Sequence, residues 1–357
     1  MAISRLDIYN VRNIKQQRIE LGQGLNLIWG ENGSGKTSII EAVHILASGK
    51  SFRTNQVISA VTRGQDVLTV SANVDSEKDG GETLGISRGE KIVEARISGQ
   101  KVRTFSELAR RLPVTVITPE SHRLLEGGPN WRRRFLDWGL FHVKPEYAQQ
   151  WSKFSQILKQ RNRALQRPDS SNSIEIWTEQ LIVAAQDVDK ARKSYFEDLK
   201  PKLEEFCTYF LPEREIRFSY YQGWPDKPFS IAVKTSLDRD RNFQRTEYGP
   251  HRGDIRLKFD GSSAKDAVSR GQQKLLVYAL ELAQIDYLNK SIGKNSVLLL
   301  DDLGAELDAA KIESVLSKVN MEFNQVIITA TSRDQIPLDS FSAKKLFHVK
   351  QGVILND

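Results

Sequence analysis

Gly30-Glu31-Asn32-Gly33-Ser34-Gly35-Lys36-Thr37 has the spacing G-x-x-x-x-G-K-[ST], and these residue types suit one task, the holding of a phosphate chain. The glycines let several backbone N–H groups converge on phosphate oxygens. A helix starting at this point adds a fixed partial positive charge. Lys36 supplies a full charge to the outer phosphates, and the Thr37 hydroxyl suits a bound Mg2+. Much later, Val297-Leu298-Leu299-Leu300 ends in Asp301-Asp302, an apolar run with acids at its C-terminal edge. Ligands bind at that edge in open α/β sheets. Asp301 is placed to hold Mg2+, and Asp302 to orient or deprotonate an attacking water. Upstream of that run, Ser269-Arg270-Gly271-Gln272-Gln273-Lys274 opens an apolar helix. A small hydroxyl and a glycine at a helix start make an anion site, although Ser269 is also a good N-cap residue. Each part alone has a plainer alternative: a glycine-rich turn, an acidic turn after a buried strand, a helix cap. The series in one chain is far rarer than any of them.

These residues need a sheet and helices to position them. Short strands are expected at 3–9, 17–21 and 25–29, the last feeding the glycine-rich loop, and further strands at 67–75, 83–88, 91–98 and 113–118. From Trp131 to Leu211 the pattern is helical. Tyr147, Trp151, Phe154, Leu158 and Leu165 mark one helix, and Ile174 to Phe210 recur every three or four residues along a second. The polar break Pro168 to Ser173 separates them, with Asn172 and Glu175 as a capping box for the second helix and Pro201 expected to kink or interrupt it. The pair reads as an antiparallel hairpin whose apolar stripes are core. Residues 212–262 are expected as short strands and turns. Then come a helix over 269–288, the strand 297–300, a helix near 309–319, a strand at 326–329 and a final strand pair. Alternating strands and helices around apolar strands imply a largely parallel sheet.

The chain has 357 residues, 39% hydrophobic and 27% charged, a soluble globular composition with room for one large domain or two ordinary ones. Its apolar runs all fall short of a membrane span, and the charged, strand-like N-terminus argues against a signal peptide. Cys207 is the lone cysteine, which excludes an internal disulfide and fits a cytoplasmic location. The formal net charge of +7 permits an anionic partner, nucleic acid being the commonest candidate. Basic residues are frequent at Arg123, Arg132, Arg133, Arg134, Lys144, Lys153, Lys159, Arg161, Arg163 and Arg167, where a phosphate-tracking surface competes with ordinary solvated helix faces.

Glycine-rich loop, Ser-x-Gly-Gln-Gln, acidic strand end and Glu306-Leu307-Asp308 together resemble the ATP-binding-cassette ATPases, in the branch that holds the SMC proteins and the RecF family. Resemblance to the RecF family rests on Arg132-Arg133-Arg134-Phe135-Leu136-Asp137-Trp138, Gly127-Gly128-Pro129, Tyr248-Gly249-Pro250-His251-Arg252-Gly253-Asp254 and Ser269 to Lys274, and matches span nearly the whole chain. Asn10-Val11-Arg12-Asn13 is similar to an N-terminal Asn-aromatic-Arg-Asn whose arginine reaches ATP phosphates, with Val11 in place of the aromatic.

The resemblance implies an α/β, ABC-type P-loop ATPase head, residues 1–120 and 246–357, with an inserted mainly helical domain at 121–245. It implies ATP and Mg2+ held by Arg12, Gly30, Glu31, Asn32, Gly33, Ser34, Gly35, Lys36, Thr37 and Ser38, with Thr37 and Asp301 on the metal and Lys36 and Asp302 catalytic. Ser269, Gly271 and Gln272 would contact the γ-phosphate bound by a second copy, so that ATP makes a homodimer. The implied role is in recombinational repair: DNA binding at gaps, partnership with RecO and RecR, RecA loading, the SOS response, and weak DNA-stimulated hydrolysis of ATP to ADP and phosphate. Asp302 stands where many relatives carry glutamate, which implies slow turnover. A switch histidine is replaced in the Thr329-Ala330-Thr331-Ser332 segment, Thr331 being the expected substitute. A transporter nucleotide subunit and a small-molecule phosphotransferase are the alternatives. The RecF-like flanks count against the first and the Ser269–Lys274 stretch against the second.

Overall fold

The computed structural model describes residues 2–75, 80–167, 171–260, 262–263 and 269–355. Asp79 of one expected turn, Pro168 to Ser170 of the polar break, and Val268 ahead of the Ser269 stretch lie outside them. By packing, the chain forms two compact units, Met1–Ser121 with Gly293–Asp357, and His122–Ile292. The inserted domain was expected to end at 245; by packing, 246–292 group with the helical unit.

In the first unit the chain opens with β1 (Ala2–Val11), β2 (Ile14–Glu20) and β3 (Leu25–Trp29), then α1 (Lys36–Ser48). β4 (Val67–Asp75), β5 (Glu82–Gly89), β6 (Val93–Ile97) and β7 (Gln100–Lys101) follow, then α2 (Phe105–Arg111) and β8 (Val114–Ile117). β4 alternates half-buried and buried residues, the period-two pattern of a sheet with one covered face. An antiparallel sheet results, in the order β2-β1-β4-β5-β6-β7. Its buried side, with Ile3, Leu6, Ile8, Leu68 and Val70, shares one core with Ile39, Ile40, Val43 and Leu46 of α1 and with Ile28, Leu299 and Ile327. The helix that follows the glycine-rich loop is therefore gripped by apolar residues of both sheets of this unit.

The second unit begins with α3 (Arg123–Glu126), α4 (Pro129–Val143), α5 (Tyr147–Leu165) and the 40-residue α6 (Ser171–Phe210). α5 and α6 pair along apolar stripes, with Phe154, Leu181, Val188, Tyr195, Leu199 and Phe206 buried at expected positions; Ile157 is buried where the spacing predicts Leu158, which is half-buried. α6 starts at Ser171, so Asn172 lies within its first turn and does not cap it. The helix also runs through Pro201 uninterrupted. One backbone donor is lost there, and the buried flanking residues Leu199 and Leu203 hold the helix together.

β9 (Ile216–Tyr221) is followed by α7 (Phe229–Thr235) and α8 (Leu237–Phe243), where strands had been expected. Phe229, Ala232 and Val233 are buried at i, i+3 and i+4, a helical stripe too short to stand out in sequence. β10 (Asp254–Phe259) and β11 (Ser262–Ser263) complete a sheet ordered β11-β10-β9. α9 (Arg270–Ile292) packs on α4 and α6, and Gln284 donates to the Phe135 carbonyl at 2.9 Å.

Buried ion pairs fasten this unit. Arg161 and Asp240, both with fully buried side chains, meet at 2.7 Å, and Arg161 also donates to the hydroxyls of Thr178 and Thr246. Arg192 grips Asp137 with both arms of its guanidinium and donates to the Pro250 carbonyl. Burial pushes His251 down to about 4, with Thr246 O at 3.1 Å from its Nε2. A neutral buried histidine gains a proton on unfolding, so stability should fall as pH drops from about 6.5 towards 4. Urea unfolding at stepped pH checks this: His251→Gln should flatten the profile in that window, and an unchanged slope would remove His251 as its source.

The chain returns to the first unit with β12 (Val297–Leu300), α10 (Leu303–Glu306), α11 (Ala309–Glu322), β13 (Gln325–Ala330), β14 (Lys344–Lys350) and β15 (Val353–Leu355). The sheet order is β15-β14-β3-β13-β12-β8, parallel from β14 through β8 with β15 antiparallel at the edge. All residues of β12 and β13 are buried, as strands covered on both faces require. Gln325, fully buried, exchanges hydrogen bonds with the backbone of Ile3 and donates to Gly22 O, locking β13 to β1.

Candidate functional site

β3 ends at Trp29 and α1 begins at Lys36, so Gly30 to Gly35 form the turn between a central strand and a helix start. Gly30 has φ 153°, and a Cβ there would stand 2.2 Å from the Val349 carbonyl oxygen, so only glycine fits. Lys36 folds back on the loop, its ammonium donating to Gly30 O at 2.7 Å and Glu31 O at 2.9 Å. Burial lowers its pKa, partly offset by the charges of Asp302 and Asp301. An ammonium has three donors, so one is left for a phosphate.

The acid pair arrives from β12. Thr37 Oγ1 donates to Asp301 Oδ1 at 3.0 Å, and Thr329 Oγ1 of β13 donates to the same oxygen at 2.7 Å. The backbone N–H of Asp302 donates to Thr329 Oγ1 at 2.8 Å. Thr329 thus orders both acids, although the sequence had singled out only Thr331 in that segment. Burial raises the Asp301 carboxyl. Asp302 sits in the left-handed region at φ 56°, ψ 42°, uncommon for a residue with a side chain. Its Oδ1 and the Ser34 hydroxyl are buried without a hydrogen-bond partner among the described residues. Hard oxygens from Thr37 and Asp301, two buried polar atoms awaiting a partner and an ammonium beside them fit Mg2+ with a phosphate chain. Mg2+ takes only one or two carboxylates and leaves its other positions to phosphate and water.

Arg12 lies in the turn between β1 and β2, itself at φ 56°. Its guanidinium makes a two-pronged bond to Glu41 of α1 at 2.8 and 2.9 Å and donates to Ser59 O at 2.7 Å. Two of its five N–H groups remain for a ligand. Glu41 is fully buried and also accepts from Ser51 Oγ at 2.5 Å and from Arg53 at 3.5 Å. Burial alone would raise its carboxyl; the bonds from Arg12 and Ser51 outweigh that and hold it below the usual range. Sequence reasoning missed Glu41, because a lone acid on a helix carries no motif. Asn13, quoted in sequence only as the last residue of the Asn10–Asn13 motif, accepts from Ser38 Oγ at 3.0 Å and donates to Gly33 O at 3.3 Å. Glu31, Asn32 and Gly33 are exposed at the loop tip, while Ser38 is buried.

Ser269 and Gln272 lie at the start of α9 in the second unit. Gln272 Oε1 accepts from the Ser269 N–H at 3.0 Å, and the Gln272 N–H donates to Ser269 Oγ at 3.3 Å, a reciprocal helix cap. Ser269 and Arg270 are exposed, Gly271 and Gln272 half-buried. Asp308, last of the Glu306-Leu307-Asp308 stretch, caps α11 by accepting from the Lys311 N–H at 3.0 Å. Thr331 donates to Gln335 Oε1 at 2.8 Å.

The surface arginines are fewer than the sequence suggested. Arg161 belongs to the buried pair with Asp240, so it cannot meet DNA. Arg132 holds both carboxylate oxygens of Asp254, at 2.7 and 3.0 Å, and Arg133 donates to Gly253 O at 2.8 Å. Arg123, Arg134, Lys153, Lys159, Arg163 and Arg167 are exposed.

A glycine-rich loop after a central parallel strand, with an acid pair at the end of β12, one strand removed in the same sheet, defines a P-loop ATPase head of the ABC class, here with an inserted mainly helical domain. A family model for the RecF/RecN/SMC N-terminal domain matches residues 2–354. The chain is 40% identical over 358 residues to the DNA replication and repair protein RecF of Shewanella frigidimarina, covering 99% of both. It is 37% identical to that of Hydrogenovibrio crunogenus, over 99% of this chain and 98% of the other. The chain belongs to the RecF family of DNA replication and repair proteins. Among solved structures, the recombination mediator protein RecF with ATP superposes with a TM-score of 0.89 at 24% identity, over 99% of this chain and 96% of the other. An Smc head bound to the C-terminal winged-helix domain of ScpA superposes at 0.60 and 16%, over 99% and 96%. Among the described residues, no helix is long and apolar enough to cross a membrane.

Proposed function

We propose that this chain is an ATP-dependent, DNA-binding dimer of recombinational repair that works in the cytoplasm with RecO and RecR at gapped DNA, promotes RecA loading and supports the SOS response. The hydrogen bond from Thr37 to Asp301 carries this reading: two segments remote in sequence meet as a metal and phosphate site, in a chain that matches RecF proteins end to end. The P-loop N–H groups and Lys36 bind the phosphates of ATP. Thr37 and Asp301 hold Mg2+, which when bound supplies charge to the outer phosphates. Asp302 orients the attacking water, and its short side chain keeps hydrolysis slow. Ser269, Gly271 and Gln272 of one copy face the γ-phosphate held by the other, for which the exposed start of α9 is available. The exposed basic residues of α3, α4 and α5 supply charges for DNA phosphates, and DNA stimulates the weak ATPase.

Sedimentation with and without ATP and Mg2+ tests the assembly. The unaltered chain should dimerise on ATP, and Asp302→Asn should prolong the dimer. Lys36→Ala should remain monomeric because ATP no longer binds. Ser269→Arg should bind ATP yet remain monomeric, and a normal dimer from it would remove the role of α9 across the interface.

A further inference from the structure

A phosphate-binding loop works only if its N–H groups point inward, which requires its carbonyls to be held on the outside. In this chain two segments from opposite ends of the sequence do the holding. At the turn between β14 and β15, the Gly352 N–H donates to Ser34 O at 2.6 Å. A trans peptide directs its N–H away from its C=O, so this bond aims the Gly35 N–H into the loop. At the turn between β1 and β2, Asn13 ties Gly33 O at 3.3 Å to Ser38 Oγ at 3.0 Å, joining the loop to the first turn of α1. The two turns also touch each other. Gly352 has φ 81°, and a Cβ there would lie 2.5 Å from Asn13 O. The Ile354 N–H donates to Gln17 Oε1 at 3.2 Å, tying β15 to β2.

We propose that Asn13 and Gly352 are positioning residues: Gly352 turns the Gly35 N–H inward, Asn13 anchors the Gly33–Ser34 peptide, whose N–H donates to Glu31 O at 3.2 Å, to the first turn of α1, and together they set the loop's shape and so its affinity for the phosphate chain. The C-terminal strand pair is then part of the nucleotide site without touching the nucleotide. The inference rests on the reading of this loop as an ATP site. A neutral hydrogen bond contributes roughly 0.5–1.5 kcal/mol, or about two- to ten-fold in affinity. A misplaced strand turn disturbs several contacts at once.

The test is titration of the full-length chain with a fluorescent ATP analogue in Mg2+, alongside its thermal unfolding without nucleotide. Asn13→Ala should weaken binding about three- to ten-fold with the midpoint of unfolding little changed. Ser38→Ala in the Asn13→Ala background should add less than it does alone, because the two share one bond. Gly352→Ala should weaken binding more than Asn13→Ala. Leu355→Ser, on an exposed position of β15, should stay within about two-fold. Binding by Asn13→Ala and Gly352→Ala equal to the unaltered chain would overturn the inference, as would independent effects of Asn13 and Ser38. If Gly352→Ala does not fold, the Asn13–Ser38 pair decides alone. Equal, weak binding by the unaltered chain and by Lys36→Ala would instead overturn the ATP reading.

Discussion

Arg12→Ala is expected to cost more folding free energy than Glu41→Ala, although the two residues form one ion pair. The asymmetry follows from exposure. The Glu41 side chain is fully buried, whereas that of Arg12 is 22% exposed. Without Glu41, the guanidinium can turn to water and to Ser59 O. Without Arg12, a carboxylate stays in the core with Ser51 and a longer contact to Arg53. Stranding a buried charge costs about 3–5 kcal/mol, so Arg12→Ala should fall in that range and Glu41→Ala below it.

The pH dependence separates the two causes. In the unaltered chain the Glu41 pKa is depressed. Its contribution is therefore complete above the unfolded carboxyl value of about 4.3 and is lost as pH falls through the lower folded value. In Arg12→Ala burial acts with less opposition and the folded pKa should rise above the unfolded one. That variant should then gain stability, relative to the unaltered chain, as pH is lowered from 7 to 5. Urea unfolding at both pH values would show it, and a gap that widens on acidification would contradict this account.

Arg161→Met is expected to destabilise the helical unit by about 3–5 kcal/mol, read by amide exchange across 122–292 and by urea unfolding. The guanidinium reaches Asp240, Thr178 and Thr246 from a position with no solvent access. Methionine fills much of the space and strands the carboxylate. Asp240→Leu in the same chain should recover most of the loss, since an apolar pair needs no counter-charge. Recovery should be incomplete, because the Glu247 N–H also loses its acceptor, Asp240 Oδ1. A loss below about 1 kcal/mol for Arg161→Met would mean that the unit relaxes to let water in.

These two ion pairs also show where the sequence stops being legible. The glycine-rich loop, the acid-ended strand and the Ser269 helix start were readable because each is a local pattern with a mechanism. The strands of the first unit followed from β-branched segments between turn residues, and the α5–α6 hairpin from apolar spacing. Arg161 was misread because Lys159-Gln160-Arg161-Asn162 has the look of a solvated helix face. Its partner Asp240 lies in a short helix, α8, where the sequence pattern predicts strand and turn. Glu41 carries no local signal, and Asn13 is legible only as the last residue of the Asn10–Asn13 motif, since the roles of both exist only once β1, α1 and the loop are assembled. Asn172 had the residue type of a cap at a position the helix had already passed.

One feature of the parallel sheet bears on how the chain is made. β3, which ends in the glycine-rich loop, is flanked by β13 and β14, so both of its neighbours come from the last tenth or so of the chain. Trp29 and Gln325 are roughly 300 residues apart, and at ~5–20 residues per second a ribosome needs about 15–60 s to cover that distance. Throughout that interval both edges of an apolar strand lack their native partners, while the whole helical unit emerges between them. Nascent copies on one message should therefore be open to strand exchange or chaperone capture at β3, and the nucleotide site of each copy is among the last parts to form.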